Sequence, residues 1–176
     1  MRRRAVVVGA LALASAGCVD RLHDVAASTP RDLRVRSRYV DGNPLVDRQS
    51  IHSRPEELPT HAVSFRSDDD ARRAISPDAE STLTFVAETS FLDAGGESVL
   101  VAAQRLTAPE VKLRLGSVSR TGERSLRVAL DEAGPRGEPD DDELVVKTLL
   151  LRLTDERGPP ARVVVSVNGE RAGVTI

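Results

Sequence analysis

The sequence has little cysteine and few aromatic residues. Its 176 residues contain one cysteine, Cys18, no tryptophan, one tyrosine and three phenylalanines. A single cysteine excludes an intramolecular disulfide and a zinc site built from several thiolates. The lack of aromatic faces argues against binding to single-stranded nucleic acid, because bases stack on such faces. The core must therefore be aliphatic, and packing must hold the fold together.

Lysine is also rare, since the chain has only Lys112 and Lys147 beside 23 arginines. The formal net charge is −2, and removal of residues 1–17, which hold three arginines and no acidic residue, makes it −5. A protein of this charge has no overall attraction to nucleic acid or to anionic lipid. We therefore expect no nucleic-acid partner and a solvated, mildly acidic surface.

Residues 1–17 have the pattern of a signal peptide. Arg2, Arg3 and Arg4 precede an uncharged run from Ala5 to Ala16, which is too short to span a bilayer as a helix. The pattern predicts export and leaves open whether the general secretory or the twin-arginine route is used.

Two processing sites follow this run. Ala14-Ser15-Ala16 resembles an ordinary signal-peptidase site, with cleavage before Gly17 and a secreted product. Ser15-Ala16-Gly17-Cys18 resembles a lipobox, in which the Cys18 thiol is acylated and becomes the new N-terminus. The second interpretation is favoured because the only cysteine stands at this position, directly after a glycine. It predicts a membrane partner through a lipid on Cys18, at the extracytoplasmic face of the cell membrane.

The rest of the chain is expected to form one domain behind a short linker. Residues 18–31 show no sustained period and are predicted to be a lipid-anchored tether. Residues 32–176 are predicted to form a single β-rich domain, with 32–79 as an arm that holds a short helix and 80–176 as the main sandwich.

The arm begins with a clear strand pattern. Residues 32–40 alternate, with Leu33, Val35 and Tyr39 on one face and Arg34, Arg36 and Arg38 on the other, which predicts a half-buried strand. Residues 60–65 are a second short strand candidate. A helix is predicted over about 68–75, because Ser67 or Asp68 can cap it, three aspartates lie in its first turn and two arginines lie near its end.

The second half of the chain is dense in β pattern. Six segments predict strands, at 81–91, 97–106, 110–119, 124–132, 143–153 and 161–176, the last with a hairpin turn at Asn168-Gly169. The apolar run in 143–153 also fits a buried helix, and the surrounding β-branched residues favour a strand. Together the segments predict a mainly β fold, an antiparallel β-sandwich or small barrel with one short helix.

The candidate chemical groups do not form a recognised motif. His23 lies in the tether, and His52 and His61 are nine residues apart, a spacing that matches no metal-binding helix or strand pair. The acidic runs 68–70 and 140–143 lack the alternating ligands and central glycine of a calcium loop. No hydrolase or phosphate-loop motif occurs. We therefore predict no catalytic residue, metal ligand or cofactor.

Three functions agree with these observations. The favoured one is a non-catalytic binding or scaffolding module with a protein partner at the cell surface. The alternative is an extracytoplasmic hydrolase or cation-dependent enzyme, which would bring His52 or His61 to acidic residues such as Asp140, Asp141, Asp142 and Glu143. A purely structural envelope component is a third possibility.

Two resemblances accompany these patterns. The leader and the arginine-rich, lysine-poor composition resemble small secreted lipoproteins of halophilic archaea, whose proteomes are usually more acidic. From Phe85 to Leu153 the order of strands and loops is similar to the C-terminal domain of the protease-complex accessory subunit family. That resemblance implies a small β-sandwich with a protein-interaction role and no catalysis. The family's Thr-Gly-Gly-Tyr stretch is absent at 107–111, which reads TAPEV, so no functional residue is carried over.

Overall fold

The computed structural model describes residues 29–53, 60–134 and 144–176, and these residues form two four-stranded β-sheets with a helical layer. The first sheet contains β1 (Leu33–Asp41), β2 (Thr60–Phe65), β3 (Ser98–Thr107) and β6 (Val145–Asp155). Its order is β1-β6-β3-β2, and all of its neighbouring strands are antiparallel. Residues 32–79 thus supply both edge strands of this sheet.

The second sheet contains β4 (Lys112–Gly122), β5 (Ser125–Ala133), β7 (Arg162–Val167) and β8 (Glu170–Thr175), in the order β4-β5-β7-β8. The strands β5 and β7 are parallel, which differs from the expected fully antiparallel arrangement. The reason lies in the connection. After β5 the chain crosses to the first sheet, runs back along it as β6 and re-enters the second sheet in the direction of β5.

An aliphatic core lies between the two sheets. Alternate residues of each strand enter it, and the central ones are fully buried: Val99, Val101, Leu151, Leu153, Val118, Leu126, Val128, Val163 and Val165. Period-two burial of this kind fixes the register of each strand, because a slip of one residue would turn the whole apolar set to the other face.

The opposite face of the first sheet is covered by α1 (Asp68–Ala74), α2 (Glu80–Ala87) and the segment 42–53. All three phenylalanines, Phe65, Phe85 and Phe91, are buried in this layer. The first sheet is therefore buried on both faces, which explains why β3 and β6 read as continuous apolar runs.

The prediction of a strand at 81–91 is wrong, because α2 occupies most of this segment. The buried residues are Thr82, Phe85 and Val86, which are spaced three and four apart and so lie on one face of a helix. The threonines and the valine suggested a strand by propensity. Packing of this face on the first sheet overrides that preference.

The predicted fold class is confirmed: the described residues form a mainly β sandwich of two separate sheets rather than a closed barrel. The helix predicted at 68–75 is α1, whose Ser67 Oγ accepts a hydrogen bond from the Asp70 N–H at 3.0 Å. Residues 145–155 are a strand. The hairpin turn is also present, with Asn168 at φ 49° and Gly169 at φ 89°, the left-handed values that such a turn requires.

Candidate functional site

Several of the residues singled out by sequence lie outside the described ranges. These are Cys18, His23 and the acidic run Asp140 to Glu143. Acylation of Cys18 and a meeting of the histidines with this acidic run therefore stay predictions. In the described ranges, neither α1 nor α2 has the length and apolar character of a membrane-crossing helix.

The two described histidines lie in different environments. His61 on β2 is buried, and its Nε2 lies 3.0 Å from the backbone carbonyl of Gln49, to which it donates. His52 is exposed in a short 3-10 turn, Ile51–Ser53, where its backbone N–H donates to Ser50 Oγ. Over residues 29–53, 60–134 and 144–176, no three His, Cys, Asp or Glu side chains are placed to hold a metal ion.

The acidic run 68–70 has a local structural role. Asp68 pairs with Arg72 at 2.6 Å, and Asp70 pairs with Arg73, both within α1 and both exposed. Pairs three and four residues apart stabilise a short helix modestly. This run thus places negative charge in the first turn of α1, directly after its cap Ser67.

One half-buried arginine joins the two sheets. Arg120 on β4 donates to both carboxylate oxygens of Asp155 on β6, at 2.7 and 2.6 Å, and lies 3.2 Å from Asp32. The Asp155 side chain is only 1% exposed. Burial raises the pKa of Asp155, but the hydrogen bonds from Arg120 outweigh it and hold that pKa below its ordinary value. We call this group of three residues the Arg120 clamp.

A second arginine joins the sheets elsewhere. Arg105 on β3 reaches Glu132 on β5 at 3.1 Å, pairs with Glu170 on β8 and donates to Thr60 Oγ1 at 2.8 Å. As in the Arg120 clamp, two carboxylates surround one guanidinium. Both groups are therefore neutralised and act as links between sheets.

The buried lysine is also paired. Lys147 is 3% exposed, and its Nζ donates to Asp41 Oδ1 at 2.5 Å. Burial lowers the pKa of Lys147, but Asp41 and the neighbouring Tyr39 raise it to a net value above the ordinary one. The amine is held charged, which is the opposite of what a nucleophilic or basic lysine needs.

The remaining cluster of arginines lines an open cleft of about 480 Å³ at the end of α2. We call it the arginine cleft. Its lining consists of charged, hydroxyl and glycine residues: Arg34, Arg36, Glu88, Ser90, Gly95, Gly96, Glu97, Ser98, Arg152 and Thr154. The glycines belong to a tight turn, in which a Cβ on Gly96 would lie 2.2 Å from the Ser90 carbonyl oxygen.

Two of these arginines lie directly opposite each other. Arg36 on β1 and Arg152 on β6 are cross-strand partners on the face that α2 covers. Like charges in this position destabilise a sheet. Arg36 is exposed and makes no ion pair with any residue in the described ranges.

Arg152 is anchored by hydrogen bonds and also pairs with Glu88. Its Nε donates to Thr89 Oγ1 at 3.0 Å, and its Nη2 donates to the Phe85 carbonyl at 2.8 Å. The guanidinium lies 4.6 Å from the centre of the Phe85 ring, and Glu88 is 3.6 Å away. Burial lowers the pKa of Arg152, Glu88 opposes this, and Arg36 adds to it. The Arg152 guanidinium is thus held in a fixed position at the wall of the cleft.

The sequence did contain a signal for this site. Arg152 is a charged residue inside the apolar run 143–153, where a buried side chain is expected. Arg36 is its cross-strand partner. The periodicity of a single strand does not show which residues are paired between strands. The rest depends on α2, which the sequence predicted as a strand: in the helix, Phe85 supports Arg152, and Glu88 at its end lines the cleft.

Comparisons with known proteins give no relative. No protein-family model matches the chain, and no curated protein or solved structure does.

Proposed function

We propose that this chain is an exported protein, held by a lipid on Cys18 at the extracytoplasmic face of the cell membrane, and that its β-sandwich is a non-catalytic binding module. The leader at residues 1–17 and the lipobox-like Ser15-Ala16-Gly17-Cys18 support export and anchoring. The tether at residues 18–31 would separate the module from the membrane surface.

The observation that carries the binding function is the Arg36–Arg152 pair in an open cleft. Two guanidinium groups in cross-strand positions cost stability unless something negative comes between them. Features that break a local rule of folding are expected at functional sites. A ligand or partner with a negative group would relieve this repulsion, which makes the cleft the natural contact region of the module.

The same cleft gives little support for catalysis. Its lining includes Ser90 and Ser98 but no histidine or lysine that could serve as a base, and Ser98 Oγ is 2.7 Å from Thr154 Oγ1. Its carboxylates are Glu88 and Glu97, and Glu88 faces Arg152. The arrangement favours holding a ligand over activating one.

Anchoring is tested by the intact mass of the protein from the membrane fraction. We expect a mature form that begins at Cys18 and carries the added mass of acyl chains. We also expect the Cys18→Ala variant to leave the membrane fraction. A mature form that begins at Gly17, or a Cys18→Ala variant that still partitions into membrane, would contradict the anchoring.

Binding is tested by the thermal unfolding of the full-length chain and of its Arg36→Gln variant against a broad set of anionic and neutral small molecules. We expect at least one compound to raise the melting temperature of the wild type and not of the variant, since a ligand that binds only the folded state stabilises it. If every compound shifts both proteins equally, the cleft is not the binding region.

A further inference from the structure

The geometry points to a specific ligand class for the arginine cleft, an inference that rests on the proposed binding function. We infer that the cleft binds the single carboxylate of a small ligand that also carries hydroxyl groups, such as a sugar acid. Arg36 and Arg152 would hold the carboxylate, and the hydroxyl and carboxylate groups of the lining would hold the rest of the ligand.

The hydrogen-bond donors of the two arginines are available for this role. Arg152 uses Nε and Nη2 on Thr89 and Phe85, and its Nη1 has no hydrogen-bond partner among the described residues. Arg36 makes no hydrogen bond or ion pair within those ranges, so its planar group of five donors is open. Guanidinium groups bind carboxylates through paired hydrogen bonds, and two of them can share one carboxylate.

The Arg152 guanidinium is already positioned before a ligand arrives. Its side chain is 10% exposed, rests on the Phe85 ring and is fixed by two hydrogen bonds. A group held in this way loses little conformational entropy on binding. Arg36 is the exposed partner that would close on the ligand from the edge strand β1.

The charge of the cleft favours a monoanion. Three arginines and two carboxylates, Glu88 and Glu97, line it. Arg34 contributes weakly, because it is exposed and pairs with Glu156 at 3.2 Å, so Arg36 and Arg152 face an equal number of carboxylates. A carboxylate monoanion therefore meets less repulsion from Glu88 and Glu97 than a phosphate dianion does.

The remaining lining residues favour a ligand with hydroxyl groups. Glu88 and Glu97 can accept hydrogen bonds from ligand hydroxyls, and Ser90 and Ser98 can donate or accept. No aromatic side chain is among the residues that line the cleft, so there is no face on which a nucleobase could stack. A volume of about 480 Å³ is within the usual range for a small-molecule site.

The test is calorimetric titration of the full-length chain with D-glucuronate, with D-glucose as the neutral match and inorganic phosphate as the competing anion. We expect saturable binding of glucuronate and none of glucose. Arg36→Gln should weaken glucuronate binding by about tenfold or more, as loss of a charged hydrogen-bonding group does. The matched control is Arg171→Gln, which removes the same charge from an exposed position on β8 and should leave the affinity within about twofold.

Each other outcome overturns the inference. If phosphate binds more tightly than glucuronate, or glucose binds as well, the ligand class is wrong, while dependence of that binding on Arg36 would leave the proposed binding function intact. If Arg36→Gln binds glucuronate as the wild type does, the carboxylate site is not in the cleft. If glucuronate does not bind, the inference fails. The binding function is tested separately, by the thermal unfolding of the wild type and Arg36→Gln with the broader set of compounds.

Discussion

The Arg120 clamp and the arginine cleft use the same side chain in opposite ways. In the clamp, the Arg120 guanidinium faces Asp155 and Asp32, and Asp32 also pairs with Arg157, so the charges are balanced. In the cleft, Arg36 and Arg152 face each other, and Glu88 lies 3.6 Å from only one of them. The clamp links the two sheets around the buried Asp155, whereas the cleft opens to solvent beside α2.

This difference distinguishes an arginine that stabilises the fold, Arg120, from one whose donors are available to a ligand, Arg36. A guanidinium with matched carboxylates has its charge compensated, and removal of its partner leaves an uncompensated charge. Two guanidinium groups opposite each other repel, and that repulsion costs some stability. Arginine content alone, at 23 residues, could not make this distinction.

The largest effect is expected in the clamp. Asp155→Asn keeps the shape of the side chain but leaves the half-buried Arg120 facing a buried amide, and we expect a loss of about 3 kcal/mol in the free energy of unfolding. Urea unfolding of both proteins measures it. A loss below about 1 kcal/mol would mean that the clamp carries no more weight than an exposed ion pair.

A substitution at Gly96, in the wall of the cleft, is expected to destabilise the fold nearly as much as Asp155→Asn. Gly96→Ala would place a Cβ 2.2 Å from the Ser90 carbonyl oxygen, so the turn must shift, and we expect a loss of about 2 kcal/mol. Gly122→Ala is the matched control, because its Cβ would meet nothing closer than Ser125 at 3.6 Å. Equal urea midpoints for the two variants would show that the turn adapts easily.

Acid should weaken the clamp specifically. The pKa of Asp155 is lowered in the folded protein, so its contribution to stability is present above its ordinary value of 3.8 and is lost as the pH falls through the lower folded value. The wild type should therefore lose more stability than Asp155→Asn as the pH falls from about 5 to about 3. Parallel pH profiles of the two proteins in urea unfolding would contradict this.

The smallest effect is expected at the rim of the cleft. Glu156→Gln removes the exposed partner of Arg34, and we expect a change of less than about 0.5 kcal/mol in the free energy of unfolding. The freed Arg34 should raise the affinity of the cleft for glucuronate slightly, by up to about twofold. Calorimetry at low salt measures this gain, and a loss of affinity would show that Glu156 itself helps to bind.

Much of the fold could be predicted because its strands follow simple patterns. Residues 32–40 alternate between apolar residues and arginines, and Asn168-Gly169 specifies a hairpin turn, so β1, β7 and β8 were found from local sequence. The cap of α1 was also visible, since Ser67 precedes three aspartates.

The layer over the first sheet could not be predicted in the same way. The helix α2 has no side-chain cap and contains threonines and a valine, so its propensity favours a strand. Its helical form depends on burial of Phe85 and Val86 against a sheet that is distant in sequence. The cleft could not be predicted for the same reason: Arg36 and Arg152 are brought together only by the pairing of β1 with β6, across 116 residues of chain.

The proposed binding function includes the claim that Arg36 is present for binding and not for stability. The most direct test is the free energy of unfolding of Arg36→Gln beside that of Arg120→Gln, measured in urea under identical low-salt conditions. We predict that Arg120→Gln loses about 3 kcal/mol, because Asp155 stays buried without its partner. Arg36→Gln should be unchanged or more stable by up to about 0.5 kcal/mol, because a repulsion with Arg152 is removed. A loss in Arg36→Gln comparable to that in Arg120→Gln would show that both arginines hold the fold, and would contradict the claim.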